Sequence, residues 1–389
     1  MEKRPVVIVG AGPAGTASAL YLQRIHPGLA RDIVVLDKAV HPRHKICAGG
    51  LIPHTLDCLR ELEIPLSVPH APVDRARVEI PGKTVCYEGA GLAQVIRRSD
   101  FDHLLVRSCR ERGIEVRDGE RALSVERVEG GVRIETERNV YHSPVVVAAD
   151  GSGSLIRRSL IGDRFEGVGK AVMCDVPVAE TSWDGFDTRR YDFDFKDVPA
   201  GLRGYGWAFP CLIGGIPHVN FGAYAVEAPK TGAQLRRSTE RLLEEFRAVG
   251  TRFESFPIRW LTRKTQVSAP NVLLAGDAAG VDPLMGEGIS YTFEYGRRVA
   301  AVLPKLVSGH PDGIDEYARS VHDTWFGRKL RRLEIGTRLF YGRSWPLWFA
   351  LAGSSRRLQE IAIRWYNGVD GMDREGHRAI WRLWRSGQL

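Results

Sequence analysis

The chain opens with a strand, a glycine-rich turn, a helix and a second strand in direct succession. The first apolar run, PVVIV, is short and β-branched, as is typical of a buried parallel strand. GAGPAG follows and places Gly10, Gly12 and Gly15 in a GxGxxG arrangement at the start of a helical pattern. The second strand, DIVVLDK, ends in Asp37, 22 residues after Gly15. This order predicts a Rossmann-like dinucleotide-binding fold.

Each residue of this motif has a mechanical role in such a fold. Gly10 permits a tight turn, Gly12 lets the backbone approach a pyrophosphate, and Gly15 lets helix and strand pack closely. The helix N-terminus then faces the phosphates, and Asp37 accepts a hydrogen bond from a ribose hydroxyl. The motif by itself does not distinguish NAD from FAD.

Two later strands end in comparable polar motifs. SPVVVAADGSGSLIRR reaches Asp150 and Gly151, and NVLLAGDAAGVDPLMGEGIS reaches Gly276 and Asp277. If one sheet collects the strands near residues 6, 33, 147 and 273, the segments between them are insertions. We therefore predict an α/β fold: a discontinuous dinucleotide-binding domain, an inserted, mostly antiparallel sheet that builds a substrate pocket, and a helical C-terminal region. The predicted boundaries are 1–70, 95–165 and 268–305 for the first, 71–94 and 166–267 for the second, and 306–389 for the third.

Composition limits the class of protein. The chain has 389 residues, 43% of them hydrophobic and 26% charged, and shows no apolar run long enough to span a bilayer. The N-terminus lacks the pattern of a signal peptide. The six cysteines form no CxxC pair, which favours a reducing cytoplasm and predicts neither a disulfide framework nor a metal site.

The C-terminal region concentrates positive charge and tryptophan. Residues 320–389 contain 13 Arg or Lys against 6 Asp or Glu, and six of the nine tryptophans. One interpretation is a basic helical cap whose aromatic side chains belong to the core. The other is peripheral contact with anionic lipid at the inner face of the membrane. No recognition module for nucleic acid is visible, so we expect no nucleic-acid partner.

The three strand-end motifs together resemble the flavoprotein superfamily of para-hydroxybenzoate hydroxylase, squalene epoxidase, flavin halogenases and geranylgeranyl reductases. The resemblance covers roughly residues 4–305 and implies a GR2-type FAD-binding domain with FAD as cofactor. RRSDFDHLL further resembles the R-x-x-F-D segment of the superfamily. The cofactor contacts that the resemblance implies are Gly10, Gly12, Pro13, Ala14, Gly15, Asp37, Lys38, Lys45, Ala48, Gly49, Arg98, Asp150, Gly151, Gly276, Asp277, Pro283, Gly286, Glu287, Gly288 and Ile289.

Three segments favour the geranylgeranyl reductases within this superfamily. CAGG (47–50) matches their C-x-G-G motif, YGWAFP (205–210) matches Y-x-W-x-F-P, and GDAAG…PLMGEGI has their form of the third FAD motif. The chain departs from the family at Leu202, where the longer pattern begins with proline, and at Glu294 and Tyr295, where small residues are usual.

This resemblance implies hydride transfer from flavin to a C=C bond of an isoprenoid or other apolar substrate. Cys47 would supply or relay the proton, because a thiol is largely protonated at neutral pH. Tyr205 and Trp207 would offer aromatic faces to the substrate. With one dinucleotide fold in the sequence, electrons come from transiently bound NAD(P)H or from a separate reductase.

Two other functions remain open at this point. A flavin monooxygenase or halogenase shares the scaffold, although hydroxylases usually carry histidine and glutamine where Gly280 and Glu287 stand, and halogenases carry W-x-W-x-I-P in place of YGWAFP. A flavin-bearing electron carrier has little need for an insertion of about 100 residues.

Overall fold

The computed structural model describes residues 1–162, 167–227, 232–250, 252–354 and 356–366. The strands within them are β1 (Glu2–Lys3), β2 (Val6–Val9), β3 (Val34–Asp37), β4 (Gly50–Leu51), β5 (His70–Ile80), β6 (Lys83–Ile96), β7 (Glu115–Asp118), β8 (Ala122–Val128), β9 (Gly131–Thr136), β10 (Val140–Ser143), β11 (Val145–Ala148), β12 (Val168–Pro177), β13 (Arg190–Asp194), β14 (Gly204–Ile213), β15 (Ile216–Ala225), β16 (Glu254–Arg259), β17 (Ser268–Ala269) and β18 (Val272–Leu274). The helices are α1 (Pro13–Ile25), α2 (Pro27–Asp32), α3 (Pro53–Glu61), α4 (Arg98–Glu111), α5 (Leu155–Leu160), α6 (Gly232–Glu245), α7 (Ile289–Val307), α8 (Gly313–His322), α9 (Trp325–Phe340), α10 (Trp345–Ser354) and α11 (Arg356–Tyr366).

A parallel sheet forms the centre of the nucleotide-binding part. Its strand order is β17-β18-β11-β2-β3-β7, and all neighbours are parallel except the edge strand β17. The four strands expected to share one sheet therefore do so. Helices α1 and α7 pack closely because Gly296 has no side chain: a Cβ there would lie 2.7 Å from the backbone carbon of Ala17.

A second sheet, of order β1-β10-β9-β8, was not predicted from the sequence. Its strands β8 and β9 form an antiparallel hairpin, and β1 joins β10 in parallel. Residues of β9 alternate largely between buried and half-buried positions, whereas most residues of the edge strand β8 are exposed.

The third and largest sheet contains the predicted insertion. Its order is β16-β12-β15-β14-β13-β5-β6-β4, and it is antiparallel except where β13 pairs with β5. Strand β4, which begins at Gly50, pairs with the end of β6 and brings the CAGG loop to this sheet. Helix α6 covers one face of this sheet, with Leu242 against Gly206 of β14. The proposed division of the chain into domains stays a prediction.

Helices α8 to α11 follow the last strand, as the predicted helical C-terminal region requires. Three of their aromatic side chains contact the large sheet: Tyr341 and Phe349 lie 6.4 and 5.5 Å from Phe195, and Tyr366 lies 6.0 Å from Phe193, between ring centroids. Part of the basic tail, including Trp381 and Trp384, lies outside the described residues. Among the described residues, no helix has the length and apolar character required to cross a membrane.

Candidate active site

The glycines of the first motif are required by close backbone contacts. Gly10 has φ +108°, and a Cβ there would lie 2.2 Å from the carbonyl oxygen of Ala149 on the neighbouring strand. A Cβ at Gly15 would lie 1.9 Å from the carbonyl oxygen of Gly10. Helix α1 therefore begins at Pro13, directly after the strand, with its N-terminus open toward a ligand.

Beside this helix N-terminus lies a buried ion-pair cluster that includes Arg43, which sequence reasoning missed. A Cβ added to Gly12 would lie 3.5 Å from a guanidinium nitrogen of Arg43. Arg43 and Arg98 both contact the fully buried carboxylate of Asp102, and Arg98 does so through two hydrogen bonds of 2.7 and 2.9 Å. The sequence feature that could have indicated this role is the position of Arg43, six residues after Asp37. Two guanidinium groups at a helix N-terminus suit a pyrophosphate.

Asp37 is buried at the end of β3, where its carboxylate accepts from the N–H groups of Ala11 (2.7 Å) and Ala39 (2.9 Å). Burial opposes ionisation, but the nearby His41 ring, these backbone donors and the charge of Arg43 hold the pKa of Asp37 below its usual value. His41 is a second residue that the sequence did not indicate. Its ring is buried, and its Nε2 lies 3.7 Å from Asp37. Lys38, in contrast, is exposed.

Asp150 presents an unsatisfied acceptor at the end of β11. Its Oδ2 accepts from the N–H groups of Leu155 (2.7 Å) and Ile156 (3.3 Å) at the start of α5. Its Oδ1 is buried and has no hydrogen-bond partner among the described residues. Burial raises the pKa of this carboxyl. Since buried polar atoms are rarely left without a partner, the orphan oxygen indicates a place for a ligand donor. Gly151 follows with φ +82°.

The CAGG loop takes a conformation that only glycine accepts at Gly49. That residue has φ +83°, and a Cβ would lie 1.9 Å from the carbonyl oxygen of Ile96. Its N–H donates to the sulfur of Cys47 at 3.4 Å. Gly50 faces Phe209 of β14, and a Cβ added to Gly50 would lie 3.6 Å from the ring. The loop and the YGWAFP strand therefore meet at this point.

Lys45 precedes Cys47 in the same loop and is largely withdrawn from solvent. Its ammonium nitrogen lies 2.8 Å from the centre of the Phe256 ring. Burial lowers the pKa of Lys45 to about 8, although Asp277 favours the charged form. Lys45, Arg98 and Asp277 therefore share one electrostatic environment.

Large and small side chains alternate along β14 and therefore lie on opposite faces of the sheet. Tyr205, Trp207 and Phe209 point to one face, with ring centroids 6.0 and 6.5 Å apart along the strand. Gly206 and Ala208 point to the other face, where a Cβ at Gly206 would lie 2.8 Å from Leu242 of α6. Helix α6 therefore needs the small residues, and the aromatic rings face the FAD motifs and the C-terminal helices.

The indole of Trp207 is fixed by a buried polar chain. Its Nε1–H donates to Asn220 at 2.7 Å, and the Asn220 amide donates to Asp175 at 2.7 Å. Asp175 in turn receives two hydrogen bonds from Arg97, at 3.0 and 2.8 Å. The nitrogen of the ring is committed to this chain, so Trp207 offers only its aromatic surface to a ligand.

The third motif is connected to the other two. Gly276 packs on α1, where a Cβ would lie 2.7 Å from Ala14. A guanidinium nitrogen of Arg157 donates to the carbonyl of Ala278 at 3.0 Å, and a Cβ at Gly288 would lie 3.6 Å from Asp277. Helix α7 begins at Ile289, so its N-terminus opens beside Asp277.

A known protein family matches most of the chain and indicates which nucleotide the site binds. Residues 3–324 match the family described as the FAD binding domain. The chain belongs to this FAD-binding family. It is similar to menaquinone reductase of Mycolicibacterium smegmatis, with 28% identity over 97% of this chain and 95% of the relative. It is also similar to digeranylgeranylglycerophospholipid reductase 3 of Methanosphaera stadtmanae, with 26% identity over 84% of each chain.

Solved structures agree on the fold of this flavoprotein. A geranylgeranyl bacteriochlorophyll reductase-like protein of Thermoplasma acidophilum has 20% identity and a TM-score of 0.72 over 88% of each chain. The flavin-dependent brominase Bmp2 has 17% identity and a TM-score of 0.74 over 99% of this chain and 100% of that chain. The predicted resemblance to geranylgeranyl reductases is confirmed, and the chain is an FAD-dependent oxidoreductase.

The residues of the flavoprotein fit FAD. The α1 N-terminus with Arg43 suits the pyrophosphate, and Asp37 suits a ribose. The orphan oxygen of Asp150 and the side chains of Lys45 and Asp277 suit the remaining polar groups. Gly286 has φ +67°, and a Cβ there would press on Tyr224 at 3.2 Å. The assignment of individual cofactor contacts and of catalytic roles to Cys47, Tyr205 and Trp207 stays a prediction.

Three tyrosine hydroxyls hold the backbone of the third motif. They donate to three consecutive carbonyls: Tyr224 to Pro283 at 3.0 Å, Tyr341 to Leu284 at 2.9 Å and Tyr205 to Met285 at 2.7 Å. These tyrosines come from β15, the residue after α9, and β14, so residues far apart in sequence fix one short segment.

The two bulky residues of α7 that depart from the family pattern have structural partners. The hydroxyl of Tyr295 donates to the carbonyl of Gly280 at 2.8 Å. Glu294 contacts His54 at 3.0 Å and Arg298 at 2.5 Å, and these partners lower its pKa to about 2 although burial opposes this. The nearby Cys58 thiol has its pKa raised to about 12 by burial. His54, Cys58 and Glu294 form a cluster with metal-ligand spacing, but a protonated thiol and a carboxylate already paired with arginine are poor ligands.

Proposed function

We propose that this flavoprotein reduces C=C bonds of an isoprenoid or similarly apolar substrate by hydride transfer from reduced FAD. The observation that carries the proposal is the meeting of the CAGG loop with the aromatic face of β14, at Gly50 and Phe209. The similarity to a menaquinone reductase and a digeranylgeranylglycerophospholipid reductase, at 26–28% identity, supports a reduction.

The residues around this meeting point have separable tasks. Bound FAD supplies the two-electron chemistry. Tyr205, Trp207 and Phe209 present apolar rings for the substrate chain, and Cys47 holds the proton for the carbon that does not receive hydride. Gly50 leaves the loop free of a side chain where it faces Phe209, since a Cβ there would lie 3.6 Å from that ring.

The experiment is an anaerobic conversion with dithionite-reduced protein. The substrates are a geranylgeranyl lipid, a menaquinone and a short prenyl alcohol, and the product is identified by mass spectrometry. Products heavier by two hydrogens per reduced bond support the proposal. No mass gain across the panel contradicts it, and a product that gains oxygen or halogen when O₂ or halide is admitted identifies an oxygenase or halogenase instead.

For the electron donor we propose reduced nicotinamide that binds transiently, or a separate reductase protein. Anaerobic addition of NADH or NADPH separates these sources, because a nicotinamide donor bleaches the flavin absorbance without any other protein. Unchanged absorbance with both nucleotides excludes direct reduction and leaves the protein donor.

We further propose that the C-terminal helices contact an anionic membrane surface. Arg328, Arg332 and Arg338 of α9 are exposed, and Ile335 and Leu347 expose 56% and 55% of their surface. Basic and apolar side chains on one helical surface suit anionic lipid. Sedimentation with vesicles containing phosphatidylserine, but not with phosphatidylcholine alone, is expected for the wild type and lost in Leu347→Glu. No binding to either vesicle contradicts the proposal.

A further inference from the structure

Asp282, which is buried, and Glu287, which is partly buried, lie on the turn between Asp277 and α7. Asp282 and Glu287 face each other across a turn closed by a hydrogen bond from the N–H of Asp282 to the carbonyl of Glu287, 3.3 Å long. The Asp282 carboxylate accepts from the N–H groups of Leu284 (2.6 Å) and Met285 (3.2 Å). The Glu287 carboxylate accepts from the N–H and hydroxyl of Ser290, at 2.9 and 2.6 Å.

This pair is next to the segment that faces the flavin site. Asp282 directly precedes the tyrosine-held backbone, and Tyr205 is close enough to both Asp282 and Cys47 for their charges to act on it. Glu287 sits at the N-terminus of α7, whose opening lies beside Asp277. A charge gained or lost on the pair is therefore felt in the site where the flavin is held.

Tyrosines and two cationic side chains face the pair among the described residues. The tyrosines that face it are Tyr205, Tyr224, Tyr291, Tyr341 and Tyr366, and burial raises the pKa of each well above its ordinary value. They stay neutral near pH 7. The cations that face the pair are Lys329 of α9, which acts on both carboxyls, and His54 of α3, which acts on Glu287.

Burial and mutual repulsion set the proton affinity of the two carboxyls. Burial, followed by repulsion from Glu287, raises the pKa of Asp282 to about 7 despite its two backbone hydrogen bonds. Burial also raises the pKa of Glu287. Because the pKa of Asp282 lies near neutral pH, an added negative charge nearby draws a proton onto the pair.

We propose that Asp282 and Glu287 are a proton reservoir that couples flavin reduction to the uptake of a proton by the protein. A reduced nicotinamide delivers two electrons and one proton to the flavin as hydride, whereas dithionite delivers only the electrons and that proton comes from solvent. In either case, a carboxylate oxygen of the pair takes one further proton from solvent. When the electrons leave as hydride, the pair gives that proton back. The two residues act on the potential of the flavin and are positioning residues. The proposal depends on bound FAD and not on the identity of the substrate.

The test is the midpoint potential of the protein-bound flavin, measured by dye equilibration between pH 6 and 8. A tenfold change in the equilibrium constant of a two-electron couple is about 30 mV, so one extra proton makes the potential fall about 30 mV more steeply per pH unit. Glu287→Gln and Asp282→Asn are expected to lose this extra slope. Asp192→Asn, which removes a buried carboxyl on β13 whose pKa is also raised, is expected to keep it. Equal slopes in all four proteins overturn the proposal.

A measurement on the wild type keeps the test decisive if Asp282→Asn does not fold. The reduced-minus-oxidised infrared difference spectrum at pH 7 is expected to gain the band of a protonated carboxyl group, and Glu287→Gln is expected to shift or lose it. A spectrum without this band overturns the proposal. Neither measurement needs a substrate, so a failure to reduce C=C bonds leaves the result unaffected.

Discussion

The hydroxyl of Tyr205 donates a 2.7 Å hydrogen bond to the backbone carbonyl of Met285. This bond joins the large antiparallel sheet to the third FAD motif across 80 residues of sequence. Since the hydroxyl hydrogen is committed to that carbonyl, only the ring of Tyr205 is left for the substrate contact that we propose.

Tyr205→Phe is expected to leave the aromatic surface intact and to loosen the segment around Met285. The lost donor leaves a buried carbonyl without this partner, which costs about 1–3 kcal/mol. We expect a lower unfolding free energy in urea and weaker retention of FAD during gel filtration. Tyr191→Phe, which alters a buried tyrosine of the same aromatic cluster, is the control. Equal FAD retention in both variants would show that the bond to Met285 is unimportant for cofactor binding.

Cys47→Ala is expected to lower turnover by about 10²–10⁴-fold, the range for loss of a general acid, without loss of FAD. Cys47→Ser keeps a proton donor of similar size and should recover part of the rate. Steady-state kinetics with the substrate identified by the anaerobic conversion, together with flavin content from absorbance, measures both effects. Full turnover in Cys47→Ala would remove the thiol from the mechanism.

Gly49→Ala and Gly50→Ala should differ sharply although they are neighbours. Alanine at 49 meets both a left-handed φ and a carbonyl at 1.9 Å, so we expect a cost of at least about 1–3 kcal/mol and poor soluble yield. Alanine at 50 has ordinary contact with Phe209 at 3.6 Å and should fold. Thermal melting of the two variants measures this difference, and similar melting temperatures would contradict the described loop conformation.

FAD affinity is expected to fall as pH rises through about 8, because Lys45 loses its proton there. Its folded pKa is about 8 against an ordinary value of 10.5, so the protonated form is present below pH 8 and mostly absent above it. A cation beside a polyanionic cofactor favours binding. Fluorescence titration of apoprotein with FAD at pH 7 and 9 should show the fall in wild type and a flat, weaker response in Lys45→Met. An equal fall in both proteins would show that a group other than Lys45 causes the pH dependence of FAD affinity.

The same lysine affects stability with the opposite sign of pH dependence. Because its pKa is lower in the folded state, the unfolded chain binds more protons between pH 8 and 10.5, and this group alone makes folding more favourable as pH rises through that window. Urea unfolding of apoprotein at pH 8 and 10 should therefore show a smaller fall in stability for wild type than for Lys45→Met. Equal falls in the two proteins would show that Lys45 is solvated and keeps its ordinary pKa.

The local sequence determined the elements that bind the nucleotide. Strand, glycine turn, helix and terminal acid are contiguous, and their chemistry follows from backbone geometry that a single segment fixes. The strands near 6, 33, 147 and 273 and the large antiparallel sheet could be predicted for the same reason: apolar β-branched runs of that length are typical of buried strands.

Tertiary structure alone decided which side chains share the site. Arg43 reaches the α1 N-terminus, Tyr341 directly after α9 reaches Leu284, and burial raises the proton affinity of Asp282. The sheet of order β1-β10-β9-β8 could likewise not be predicted from the sequence. Its short polar strands lack a continuous apolar run, and β1 pairs with β10 over a long sequence separation. The periodicity of apolar residues in a sequence shows which face of one helix or strand is buried. The pKa of a side chain depends in addition on every other element that excludes water from it.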